Sequence, residues 1–117
     1  MTASTSVNVE LDDSLYARIL GWDEAQAMNG QAMSVHVPDG GQGMLVEMQL
    51  VQVERKSHDT PGMVQFSLVL RGPRTPRLPQ QTYRMRHARL GDFAIFITPI
   101  GQSAGHTDYE ACFSHVA

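Results

Sequence analysis

The stretch Phe66-Ser-Leu-Val-Leu-Arg-Gly-Pro-Arg-Thr-Pro-Arg-Leu-Pro-Gln-Gln-Thr-Tyr-Arg-Met-Arg-His87 decides the fold. It joins two runs of alternating apolar residues through a proline-studded loop, with five arginines and no acid. Val64, Phe66, Leu68 and Leu70 alternate with Gln65, Ser67, Val69 and Arg71, which predicts a strand with one face buried. Gly72-Pro73 predicts its end, since proline has no N–H to give a ladder. Tyr83, Met85 and His87 alternate with Arg84 and Arg86 in a second strand. Pro73, Pro76 and Pro79 recur every third residue, so the connection is expected to be stiff and extended. The expectation is a hairpin whose loop carries Arg74 and Arg77 at low entropic cost.

Outward from this stretch the pattern stays β. Residues 33–37 and 44–54 alternate, and the second run slips between Leu50 and Val53, which predicts a bulge. The glycine-rich segment 38–43 predicts the turn between them. A polar loop over 55–62 and a turn at Leu90-Gly91-Asp92 bracket the central hairpin. Residues 93–97 are apolar at every position, predicting a strand covered on both faces. Tyr109, Ala111 and Phe113 alternate in a last strand, where Cys112 is expected as a small core residue. Six strands separated by turn signals predict one mainly-β domain, an antiparallel sandwich or a small, partly open barrel.

Helix is expected only near the N-terminus. Residues 1–6 are small and polar and are expected to fray. Val7, Val9 and Leu11 alternate with polar residues, as in a short strand or extended arm. Asp12 and Asp13 would cap a helix over 14–20, and Asp23-Glu24 and Asn29-Gly30 bracket a second one. The chain therefore divides into an arm, 1–21, and a β-rich body, 22–117.

Composition narrows the function classes. The apolar fraction is 42% and the charged fraction 18%, which suits a folded domain rather than a disordered one. No apolar run approaches the roughly 20 residues that span a bilayer. The N-terminus lacks the basic-then-apolar order of a secretory signal, so synthesis in the cytoplasm without a leader is expected. Residues 1–54 carry eight acids and one arginine, and residues 55–117 carry eight basic residues and four acids. Halves of opposite sign are expected to attract one another, within a copy or between copies. The net charge of −3 and the lack of a nucleic-acid motif argue against a nucleic-acid partner.

The residues offer little catalytic chemistry. The five histidines share no short ligand spacing and have no cysteine pair beside them, so no metal and no cofactor are expected. His58-Asp59 and His106-Thr-Asp108 bring histidine near acid, both in predicted loops. Ser67 and Ser114 fall in mid-strand rather than on a sharp turn, and no catalytic residue is assigned. His87 paired with Glu110 across strands would make a base. A structurally satisfied histidine is the preferred reading.

Phe66-Ser-Leu-Val-Leu-Arg-Gly-Pro, Leu78-Pro-Gln-Gln-Thr-Tyr, His87, Leu90-Gly91, Phe96-x-x-Pro99 and Tyr109-Glu-Ala-Cys-Phe113 together resemble a family of small bacterial proteins known as a domain of unknown function. The resemblance runs from about Trp22 to Val116 and leaves the arm outside it. It implies company with phage-tail-collar-like or surface-fibre proteins, and so an accessory structural role in an extracellular or tail-like assembly.

The function expected from these readings is non-enzymatic assembly, by self-association or by docking to a larger protein partner. The residues expected to carry it are Val7, Val9 and Leu11 in the arm and Arg71, Arg74, Arg77, Arg84 and Arg86 around the loop. Glu10, Asp12 and Asp13 of a neighbour are their expected counter-charges. Two alternatives stand beside it: a small-ligand barrel with Tyr83, His87 and Trp22 at its mouth, and an arginine-mediated binder of an anionic partner.

Overall fold

In the computed structural model, residues 7–39, 43–56 and 62–116 are described. Residues 1–6, 40–42, 57–61 (with His58 and Asp59) and 117 lie outside that set. Two short helices, α1 (Asp13–Ala17) and α2 (Trp22–Met28), precede six strands. These are β1 (Ala32–Val37), β2 (Met44–Arg55), β3 (Met63–Pro73), β4 (Gln81–His87), β5 (Gly91–Gln102) and β6 (His106–Val116). All neighbours are antiparallel, and the order β1-β2-β3-β6-β5-β4 closes on itself as a barrel.

The two strands of the deciding stretch are not a hairpin. β3 pairs with β2 and β6, whereas β4 pairs with β1 and β5. The proline loop, residues 74–80, therefore crosses the upper mouth of the barrel instead of turning at a sheet edge. Leu78 is buried beneath it, and its N–H donates to the Tyr109 hydroxyl at 2.8 Å. The Tyr83 hydroxyl donates to the Pro79 carbonyl at 2.7 Å. Two tyrosines that rise from inside the barrel thus hold the lid and satisfy buried polar groups of an irregular segment.

Period-two alternation fills the interior. Met33, Val35 and Val37 face Val46, Met48 and Leu50, while Phe66, Leu68 and Leu70 face Tyr83, Met85, Ile95 and Tyr109, all buried. The bulge falls between Leu50 and Gln52, where the β2–β3 register shifts. There the Gly30 N–H donates to the Leu50 carbonyl at 2.8 Å and the Leu50 N–H donates to the Gln31 carbonyl at 2.9 Å. The bulge thereby ties the exit of α2 to the lower rim. Ala25 and Met28 bury one face of α2, and Trp22 packs on Phe66 with ring centroids 5.5 Å apart.

α1 is shorter than the helix expected over 14–20. Asp12 caps it by accepting from the Leu15 N–H at 3.0 Å, but Arg18 already has extended backbone. Arg18 leaves the helix to reach β5, where its guanidinium donates to the carbonyls of Leu90 and Asp92 and lies 4.0 Å over the Phe93 ring. α2 begins with Glu24 accepting from the Gly21 N–H at 3.2 Å and stops before Gly30, whose φ is +84°.

Two strand readings need correction. Phe96 is 51% exposed while Phe93, Ile95 and Ile97 are buried, so β5 alternates and is not covered on both faces. A closed barrel has one interior, and among the described helices only α1 packs on the outside of β5. Cys112 is likewise exposed: Tyr109 and Ala111 point inward, and parity turns the next residue out.

Candidate functional site

The arginines that stood out in sequence are largely occupied within the chain. Arg71 sits opposite Asp108 on β6 and holds it through two bonds, at 2.9 and 3.2 Å. Arg86 sits opposite Asp92 on β5 and binds it at 2.6 and 3.1 Å, and Arg84 reaches the same carboxylate at 2.7 Å. Hydrogen bonds from these guanidiniums hold both aspartates below the usual carboxylate range, against the opposing effect of burial. Arg74 donates to the Ser103 carbonyl. Arg77 is exposed and makes no ion pair or hydrogen bond among the described residues.

Within one copy, Asp92 and Asp108 are thus the counter-charges of Arg71, Arg84 and Arg86. Every ion pair among the described residues lies between residues 71 and 108. Besides the β1–β4 and β2–β3 ladders, the two halves of the chain are joined by arginine-to-carbonyl bonds from Arg18 to Leu90 and Asp92 and from Arg84 to Glu10.

The residues of the ligand-mouth alternative do not converge. Tyr83 lies under the lid near the start of β4, His87 ends that strand beside Gln31, and Trp22 packs on Phe66. Burial, with Tyr109 nearby, pushes the Tyr83 hydroxyl up to about 12. His87 does not meet Glu110, which is in register with Val69 and Thr98. Its Nδ1 accepts from the backbone N–H groups of Arg89 and Leu90 at 3.2 and 3.1 Å. Nε2 must then carry the proton, donating to Gln31 Oε1 at 2.6 Å. His106 lies 3.8 Å from Asp108, whose carboxylate already holds Arg71.

This arrangement makes stability depend on pH near neutrality. Burial, with the Arg89 charge adding to it, lowers the His87 pKa below 6.5. Below pH 6.5 the unfolded chain takes up a proton that the folded chain resists, so stability falls as pH falls through that point. One such group contributes a slope of at most about 1.4 kcal/mol per pH unit. Thermal melts between pH 8 and 5 should show a decline that His87→Gln flattens. An equal decline in both proteins would remove His87 as its source.

The arm is a strap rather than a strand. Residues 7–11 join no sheet, and Val7, Val9 and Leu11 are half-buried against the outside of their own barrel. The His36 Nδ1 donates to the Asn8 carbonyl at 2.7 Å, and the Arg84 guanidinium donates to the Glu10 carbonyl at 3.1 Å. Gly43 lets the arm approach. A Cβ there would lie 3.0 Å from both the Val7 Cβ and its carbonyl and 3.2 Å from the Val9 side chain, and the Gly43 φ of +73° favours glycine as well.

A second surface feature was invisible in sequence. β6 is in register with β3 along its whole length, from His106 to Val116, but with β5 only from Thr107 to Glu110. Beyond Glu110, β5 and β6 share no ladder among the described residues. Between them lies a surface groove of about 330 Å³ lined by Arg18, Ile19, Leu20, Phe93, Ala94 and residues 112–115. Leu20 is buried there, whereas Ile19 and Val116 are 64% and 79% exposed.

Among the described residues, no helix is long and apolar enough to cross a membrane. Comparison with known families gives a match to the domain of unknown function DUF6916 over residues 20–113. Neither the curated proteins nor the solved structures yield a match. The matched region holds α2 and nearly all of the barrel, and leaves the strap outside.

Proposed function

We propose that this chain, which belongs to the DUF6916 family of unknown function, is a non-enzymatic assembly module whose N-terminal arm links one copy to the next. The observation that carries this reading is how the arm is held. It lies on its own barrel without a strand ladder, bonded through two of its backbone carbonyls, with its apolar side chains only half-buried. Such contacts can be exchanged for equivalent or better ones on a neighbour, which is the route of segment-swapped assembly.

The alternatives draw less support. Leu78 of the lid and Ala25 and Met28 of α2 join one packed core with the inward side chains of the barrel, which leaves little room for a small-ligand chamber. An arginine-mediated anion site would have to take Arg71, Arg84 and Arg86 from bonded aspartates. A setting within a fibre-like or tail-like structure is part of the proposal.

The test is sedimentation velocity on the native chain and on the variant Val7→Asp, Val9→Asp, Leu11→Asp. The native chain is expected to form concentration-dependent oligomers, and the variant to sediment as a folded monomer with its β circular dichroism retained. A variant that assembles like the native chain would remove the arm as connector.

A further inference from the structure

The opening between β5 and β6 has the features of an acceptor for an extended segment. Strand β6 from Ala111 to Val116 is paired on its β3 side and, among the described residues, has no ladder partner on the other. An edge of this kind presents a row of unpaired N–H and C=O groups that another extended chain can complete. The groove beside it is floored by Leu20, Phe93 and Phe113, which can take apolar side chains at every second position. Its rim carries Arg18 and His115, and Lys56 acts on Cys112 from the outer face, where Glu110 is the opposing charge.

One segment of this chain matches that demand. In Val7-Asn-Val-Glu-Leu-Asp12 the apolar residues alternate with an amide and two acids. An extended six-residue segment reaches about 20 Å, the same span as Ala111 to Val116. We infer that the β5–β6 opening receives residues 7–12 of a second copy as an added strand along β6, with Val7, Val9 and Leu11 turned into the groove and Asn8, Glu10 and Asp12 turned outward. The inference rests on the self-assembly reading and names the surface that accepts the arm. Two side-chain bonds to arm carbonyls on the home barrel are exchanged for a backbone ladder on the neighbour.

Parity makes the idea testable through the native thiol. Cys112 faces outward on β6, so on the added strand its cross-strand neighbours are the outward residues 8, 10 and 12. Full-length Asn8→Cys, Glu10→Cys, Asp12→Cys and Val9→Cys are each oxidised mildly, with copies labelled in different isotopes, and the links are read by mass spectrometry. The expected result is an intermolecular link to Cys112 from at least one outward position, none from Val9→Cys, and loss of the link in a Cys112→Ser background. If the chain oligomerises but no outward position links to Cys112, or Val9→Cys links as well, the β6 edge is not the acceptor, although the arm could still be the connector. If the native chain is monomeric at all concentrations, the assembly reading falls and this inference with it.

Discussion

Replacing Asp92 with alanine is expected to cost about 3 kcal/mol of unfolding free energy, the scale for breaking a buried ion pair by removing one partner. Asp92 receives both Arg84 and Arg86, and its side chain is only 11% exposed. The two arginines contribute unequally. Arg86 is 57% exposed and can turn to water, so its share is that of a surface pair. Arg84 is 14% exposed and would keep only the Glu10 carbonyl as partner, a desolvated charge with one bond. Urea unfolding of Asp92→Ala, Arg86→Ala and Asp108→Ala should rank Asp92→Ala far ahead. Asp108 is 22% exposed and its partner Arg71 46%, so Asp108→Ala should stay within about 1 kcal/mol. Equal losses for the two aspartates would show that burial of Arg84 does not set the cost.

Leu78→Ala should be similarly damaging, about 2–5 kcal/mol, because it opens a cavity under the lid. Leu78 is 2% exposed and is the side chain by which a six-strand barrel closes its upper mouth. Tyr109→Phe should cost about 1–2 kcal/mol by leaving the Leu78 N–H without its acceptor. Since both changes loosen the same lid residue, the double variant should lose less than the sum. Arg77→Ala in the same loop should stay within about 0.5 kcal/mol. A Leu78→Ala loss no larger than that of Arg77→Ala would mean the loop does not close the barrel.

Local signals in the sequence carried much of the fold. The alternation over 44–50 and 83–87, the slip after Leu50 and the Asn29-Gly30 stop each depend on neighbours within a few residues, and each recurs in the structure. Pairing between distant segments was not legible. Closure depends on β1 meeting β4, residues 33–36 against 84–87, and no local pattern marks that contact. The same gap hides the lid, because β3 and β4 adjoin in sequence and their alternation predicts a hairpin. It also hid the site chemistry: Arg71 meets Asp108 and Arg86 meets Asp92 only once register is known. The expectations for Phe96 and Cys112 fail for a related reason, since inward and outward parity depends on how many faces a strand has to bury.

The arm residues were legible as a pattern, but their docking place was not. Alternating Val7, Val9 and Leu11 suit a strand, and on the home barrel they make none. Such a mismatch between local preference and observed conformation is expected where a segment has a second place to go.

The most direct test of assembly through the arm is the solution mass of the unmodified chain, followed by light scattering over a wide range of concentration. A mass that climbs above the monomer value of 12.9 kDa with concentration is the predicted result. A constant 12.9 kDa throughout would contradict it.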